Sequence, residues 1–259
     1  MTSLRNSLLD LLFPPRPECP LCRARGKAEI CAGCRVLIEN YRNEPVCARC
    51  GRLPGKGACF VETGGKLVCP QCLTREWPFV IARAAGPYEG NMKEAIHRLK
   101  YEGKRSLAVP LAGLMAETMS RNPAYRGVDL VVPVPLFGEK LRRRGFNQAE
   151  ILARNLSREL RLPLETGILR KILDTPPQAG LSKAARESNL EGAFKVTKAG
   201  PVTGRKALLI DDVFTTGSTM SAAALAIMEA GAGQVFGLTV ATGRFFEIST
   251  KTMPGIDSK

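Results

Sequence analysis

The sequence predicts an α/β protein, a parallel sheet with helices on both faces, preceded by a small cysteine-rich metal module. Three observations lead there. Strand-like apolar runs alternate with helix-like segments across residues 78–246, an alternation that builds parallel sheets covered by helices. The clearest apolar run ends in two adjacent aspartates and passes at once into a loop of hydroxyls and then a helix. All nine cysteines lie between Cys19 and Cys72, and eight of them form four C-x-x-C pairs. At 259 residues and 44% hydrophobic content, the chain can hold one sizeable core and a smaller unit.

Taken in order, residues 1–18 are expected to form a short amphipathic helix. Leu4, Leu8, Leu11 and Leu12 recur at helical spacing, which suits packing against a neighbouring domain. The segment carries Asp10 and runs into Pro14 and Pro15 without a small-residue cleavage site. With no apolar run near the ~20 residues of a membrane span, a cytoplasmic location is expected. Residues 19–77 form the cysteine module, and Pro78 marks a seam. Residues 79–88 read as a strand or hairpin and 91–101 as a helix. Residues 106–120 read as a second helix with Pro110 tolerated in its first turn. A strand over 129–134, a helix over 147–160, a strand over 207–210, a helix over 220–230 stopped by Gly231 and a strand over 234–241 complete the 78–246 unit. Residues 247–259 read as a flexible polar tail.

The cysteine pairs are Cys19/Cys22, Cys31/Cys34, Cys47/Cys50 and Cys69/Cys72. In a reducing compartment such pairs place thiolates on tight turns where two pairs share one tetrahedral zinc, so two structural zinc sites are expected. Pairing in sequence order makes two tandem zinc ribbons, and spacing leaves an interleaved arrangement open. A redox reading would expect a single such pair on a thioredoxin-like βαβ unit. Cys59 is the remaining cysteine and reads as a buried thiol. Each all-thiolate zinc site carries two net negative charges, so the formal +14 of the chain falls to about +10. That balance favours anionic partners, a polyphosphate or a nucleic-acid backbone.

The stretch LLIDDVFTTGST, residues 208–219, concentrates the chemistry. Residues 207–210 have the continuous apolar character of a strand buried on both faces, expected to end where the charge begins. Asp211 and Asp212 then stand at its carboxyl end, where open α/β sheets place ligands, as acceptors for ribose hydroxyls. Thr215, Thr216, Gly217, Ser218 and Thr219 offer hydroxyls and backbone N–H groups that, with the following helix N-terminus, suit a phosphate. An apolar strand ending in acids also serves magnesium in P-loop NTPases, but those need G-x-x-x-x-G-K-[ST], which this chain lacks. A second concentration lies in VVPVPLFGEKLRRRGFNQA, residues 131–149. There Pro133, Val134 and Pro135 break a strand, and Arg142, Arg143 and Arg144 offer guanidinium forks to phosphate oxygens. His97 lies on a helix and reads as a surface or packing histidine.

LLIDDVFTTGST resembles the phosphoribosyl pyrophosphate (PRPP) motif of type I phosphoribosyltransferases. That resemblance implies a type I phosphoribosyltransferase-like sheet in which Asp211 and Asp212 bind the ribose 2′- and 3′-hydroxyls and the 215–219 loop holds the 5-phosphate. It also implies magnesium bridging pyrophosphate and ribose oxygens. Residues 133–135 with Arg142, Arg143 and Arg144 resemble the pyrophosphate loop of that fold. Arg170, Thr175 and Gln178 fall in a stretch resembling its flexible loop, a lid that excludes water from a reactive sugar cation. With HRLKYEGKR (97–105) and the C-x-x-C pairs added, nearly the whole chain resembles the competence protein F (ComF) family, which joins a double zinc ribbon to a phosphoribosyltransferase-like domain. The resemblance implies magnesium-dependent PRPP binding and a role in single-stranded DNA handling during DNA uptake, with a helicase or other DNA-uptake protein as partner. The other reading is an active phosphoribosyltransferase of nucleotide metabolism with an unknown acceptor, the ribbons serving only protein contact. Fold alone does not choose between them.

Overall fold

A computed structural model of the chain describes residues 18–26, 29–173 and 192–246. The helix expected in 1–18, apart from Glu18, lies outside these residues, as do Thr175, Gln178 and the 247–259 tail.

The cysteine-rich segment holds more regular structure than its composition suggested. Helix α1 (Ala32–Asn43) starts directly after Cys31 and turns Cys34, Ile38 and Tyr41 inward, the i, i+4, i+7 spacing of one helical face. Strand β1 (Leu53–Pro54) follows, then a hairpin of β2 (Val61–Thr63) and β3 (Lys66–Val68). Gly64 and Gly65 make its two-residue turn with positive φ, and the short helix α2 (Pro70–Thr74) comes after it. Cys59, expected to be buried, is exposed, because it sits in the loop between β1 and the surface hairpin.

The longer unit runs β4 (Ala82–Pro87), α3 (Gly90–Tyr101), α4 (Ala108–Ser120), β5 (Leu130–Pro133), α5 (Gly138–Arg144) and α6 (Gln148–Leu160). An antiparallel pair β6 (Leu169–Lys171) and β7 (Phe194–Val196) is followed by β8 (Lys206–Phe214), α7 (Ser218–Glu229), β9 (Gln234–Thr242) and β10 (Arg244–Phe245). Strands β4, β9, β8 and β5 form one parallel sheet in that order. Strand β10 follows directly from the interior strand β9 and pairs parallel with β1, tying the carboxyl end of the sheet to the cysteine segment.

Alternation along β8 decides what each face buries. Leu208 and Ile210 join Ile96, Leu99, Leu111, Leu152 and Leu156 beneath α3, α4 and α6. Ala207 and Leu209 face the other way, toward Met220, Ala223 and Ile227 of α7. The cysteine clusters divide the same way. Cys19 and Cys34 pack into the first core, and Cys47, Cys50, Cys69 and Cys72, with Trp77 and Phe79, into the second. Each buried Leu or Ile contributes roughly 1.5–3 kcal/mol of apolar burial, so each cluster shares its stability with the sheet.

Two local expectations change. Strand β8 does not end before the aspartates: it stays paired with β9 as far as Phe214 opposite Thr242. Its other neighbour, β5, stops at Pro133 opposite Ile210, so the aspartates emerge beyond the end of β5 on a strand still held from one side. The arginine triplet lies on helix α5 rather than in a loop, closed by Gly145 at φ 78°.

Candidate ligand cleft

The carboxyl ends of β5 and β8 open into a cleft of ≈ 350 Å³, lined by Asp211 and Asp212 with Lys100, Lys140, Arg144 and Lys171 around them. Two carboxylates thus face four cations from three elements: Lys100 on α3, Lys140 and Arg144 on α5, and Lys171 on β6.

Asp212 is buried and held from two sides. Lys100 Nζ, from the last turn of α3, lies 2.8 Å from its Oδ2. Gln148 Nε2, from the first turn of α6, donates to the same oxygen at 2.9 Å. Burial pulls the Lys100 pKa down, but the neighbouring Asp212 carboxylate outweighs that and holds it above the ordinary lysine value. Asp211 Oδ1 accepts from the Asp212 backbone N–H at 2.8 Å. Burial, and then the charge of Asp212 beside it, push Asp211 up to about 7. Helix α6 is fixed at the cleft by Asn147, whose Oδ1 caps Ala149 N at 3.1 Å while its Nδ2 donates to Val134 O at 3.0 Å.

The loop after β8 divides its hydroxyls. Thr216 and Ser218 are turned on each other, Oγ1 to Oγ at 2.9 Å, and knit the loop. Thr215 and Thr219 line both the cleft and a recess of ≈ 20 Å³ behind it, room for about one water-sized group. Gly217 sits at φ 80°, and a Cβ there would meet Phe214 Cζ at 2.5 Å and the Trp77 ring at 2.8 Å, so only glycine lets the loop lie so close. Helix α7 begins on the next residue.

Pro133 ends β5, Val134 N donates to Ile210 O at 2.9 Å, and Val134 and Pro135 line the cleft wall. Of the arginine triplet, Arg144 reaches the cleft, while Arg142 and Arg143 are exposed. On β6 it is Lys171 that lines the cleft, and Arg170 is exposed. His97 is on the surface as expected, its ring 4.7 Å from Tyr101. Sequence reading missed Lys100, Lys140, Gln148 and Lys171.

The eight paired cysteines form two clusters in sequence order, Cys19/Cys22/Cys31/Cys34 and Cys47/Cys50/Cys69/Cys72, with the Sγ atoms in each within 4.8 Å of one another. Cys22 to Cys31 is 3.6 Å and Cys50 to Cys69 is 3.7 Å. Four sulfurs about 2.3 Å from a tetrahedral zinc stand roughly 3.8 Å apart, so both clusters fit structural zinc. All nine cysteines are free of disulfides. No helix among the described residues is long and apolar enough to cross a membrane.

These features define a class: a zinc-ribbon α/β protein with a polar ligand cleft at the carboxyl edge of a parallel sheet. The double zinc ribbon domain family matches residues 8–73. The chain is 31% identical to the DNA utilization protein YhgH of Escherichia coli over 84% of its own length and 93% of the relative's. It is 29% identical to competence protein F of Haemophilus influenzae over 85% and 96%, and 30% identical to competence protein ComFC of Bacillus subtilis over 78% and 79%. The chain belongs to this competence protein F family. Among solved structures, a purine phosphoribosyltransferase from Pyrococcus horikoshii aligns with 57% of this chain and 91% of its own at 15% identity and a TM-score of 0.31. A likeness at that level does not bear on the reaction.

Proposed function

We propose that the cleft binds PRPP or a related ribose phosphate together with magnesium, and that the chain uses this site in handling single-stranded DNA during DNA uptake. The observation that carries the reading is the pairing of acceptors with cations: Asp211 and Asp212 for ribose hydroxyls, and Lys100, Lys140, Arg144 and Lys171 for phosphate oxygens. The 5-phosphate would sit where cleft and recess join, against Thr215, Thr219 and the first turn of α7. The hydrogen bonds described engage one oxygen of each carboxylate, and this all-oxygen set suits magnesium, which is held through one or two carboxylates plus substrate phosphates. When bound, magnesium supplies charge neutralisation of the pyrophosphate. The names of the relatives, competence protein F and DNA utilization protein, support the DNA-uptake role.

Calorimetry with PRPP and magnesium tests this reading. Binding is expected, and it is expected to be lost in Asp211→Asn/Asp212→Asn. Absence of binding, or unchanged binding in that variant, refutes it.

A direct contact with single-stranded DNA is supported by Tyr101, which is 63% exposed with the Arg144 guanidinium 5.0 Å over its ring. Phe146 is partly buried beneath Arg105 at 4.6 Å nearby. Stacking on Tyr101 with basic neighbours predicts binding that weakens steeply with salt and falls in Tyr101→Ala. The reading of the chain as an active phosphoribosyltransferase has the same cleft to draw on, with positioning and electrostatics supplying the rate. Release of pyrophosphate from PRPP in the presence of candidate acceptors distinguishes it from binding alone.

A further inference from the structure

The second cysteine cluster is bonded to the loop that follows the aspartates. Arg52, only 5% exposed, stands between them. Its Nε donates to Cys50 Sγ and its Nη2 to Cys69 Sγ, each at 3.4 Å, and Nη2 also donates to Gln71 Oε1 at 2.6 Å. Its Nη1 reaches the carbonyl of Thr215 at 3.5 Å. Gln71 extends the same chain of bonds, its Nε2 donating to the carbonyl of Thr216 at 3.4 Å. A second route runs through Trp77. Its Nε1 donates to Cys72 Sγ at 3.1 Å, and its ring fills the space where a Cβ on Gly217 would go. Arg75 stacks over that ring at 4.3 Å and donates to Ser221 Oγ at 3.3 Å, on the first turn of α7. The first cluster is bonded to α3 instead. Asn91 donates to Cys34 Sγ at 3.6 Å, and Arg98 donates to the carbonyls of Pro20 and Leu21.

A buried guanidinium needs opposite charge, and the charge beside Arg52 is that of the thiolates. Zinc held by four thiolates keeps two net negative charges, enough to retain one arginine in the protein interior. The planar fork has five donors in fixed directions, so once sulfurs and Gln71 fix it, the direction of Nη1 toward Thr215 is fixed too. The bonds to the Thr215 and Thr216 carbonyls are long and individually weak. Their effect comes from acting together with the packing of Trp77 on Gly217.

We propose that Arg52 is a positioning residue that makes the second zinc site part of the ligand site: it holds the 215–219 loop in its anion-ready shape, with Gln71 as the relay. The ligand arm of the proposal rests on the reading of this loop as the phosphate site, and the ordering arm stands without it. Arg52→Lys separates positioning from metal retention. A lysine keeps the positive charge the metal site requires, but a single ammonium cannot span two sulfurs, Gln71 and the Thr215 carbonyl. Gln71→Ala cuts the relay and leaves both arginine and cysteines in place.

Hydrogen exchange by mass spectrometry on the ligand-free full chain reads the loop, elemental analysis reads zinc, and calorimetry with ribose 5-phosphate reads the site. The expected result is exchange at least about tenfold faster across 214–221 in both variants, with two zinc ions per chain retained and weaker ribose 5-phosphate binding. Unchanged protection of 214–221 in both variants overturns the proposal. So does protection that falls only in preparations that have lost zinc, which would make Arg52 a metal-retaining residue alone. If neither ribose 5-phosphate nor PRPP with magnesium binds the unaltered chain, the proposed function fails, while the exchange comparison still decides the coupling.

Discussion

Replacing Lys100 with methionine removes one partner of a buried ion pair and leaves the other in place. Lys100 is 16% exposed along its side chain and Asp212 7%, with 2.8 Å between the charges. Breaking such a pair from one side costs about 3–5 kcal/mol, because the stranded charge has lost both water and partner. Here Asp212 keeps the Gln148 amide at 2.9 Å and borders an open cleft, which places Lys100→Met at the low end, about 3 kcal/mol. For a chain of this size that is a fall of about 6–12 °C in the thermal midpoint. The assay is thermal and urea unfolding followed by circular dichroism, at saturating zinc, on wild type, Lys100→Met, Asp212→Asn and the double variant. Removing the stranded charge should recover most of the loss, giving a coupling of at least about 1.5 kcal/mol. A Lys100→Met protein within about 1 kcal/mol of wild type, or a double variant no more stable than Lys100→Met, would refute the account of Asp212 as a carboxylate held ready by its lysine.

Ribose 5-phosphate binding should strengthen as pH rises from 6 to 8. Asp211 titrates at about 7, so its carboxylate is mostly protonated at the lower pH and gains acceptor capacity by about tenfold at the higher, a trend that Asp211→Asn should flatten. Gly217→Ala forces a side chain into a left-handed backbone and against Phe214 and Trp77, which should cost about 2–5 kcal/mol in urea unfolding and abolish ligand binding. Trp77 is the one tryptophan of the chain and donates to Cys72, so its fluorescence should change when zinc is lost through Cys50→Ser and stay unchanged in Cys22→Ser.

The sequence disclosed what depends on local chemistry and concealed what depends on the opposite side of a fold. The C-x-x-C pairs announced metal, and only three-dimensional packing chose the sequence-order pairing over an interleaved one. The aspartates announced a strand end, but β9 carries the strand four residues further, and pairing from one side cannot be seen in one strand. Lys100 and Gln148 had a signal that went unread. Lys100 stands four residues after Ile96 and eight after Met92, on the buried stripe of α3. Gln148 stands four before Leu152 and eight before Leu156, on that of α6. A polar residue on an apolar stripe needs a buried partner, and both find Asp212. The arginine triplet misled because three consecutive residues on a helix point in three directions. The i, i+4 partners Lys140 and Arg144 share the face turned to the cleft.

The placement of the two ribbons explains why one of them reaches the ligand loop. A four-stranded parallel sheet must bury both faces, and here the covering is unequal. Helices α3, α4 and α6 seal the face carrying Leu208 and Ile210, with the first cluster at their margin. On the other face α7 is the one long helix among the described residues, joined by the β6–β7 pair. Trp77, Phe79 and the second cluster supply the rest of that layer. Because α7 begins at the hydroxyl-rich loop, whatever packs beside its first turn also packs beside the loop. The second ribbon therefore touches Thr215, Thr216 and Gly217 as a consequence of covering the sheet, which places its metal site directly behind the end of β8, where the candidate ligand residues stand.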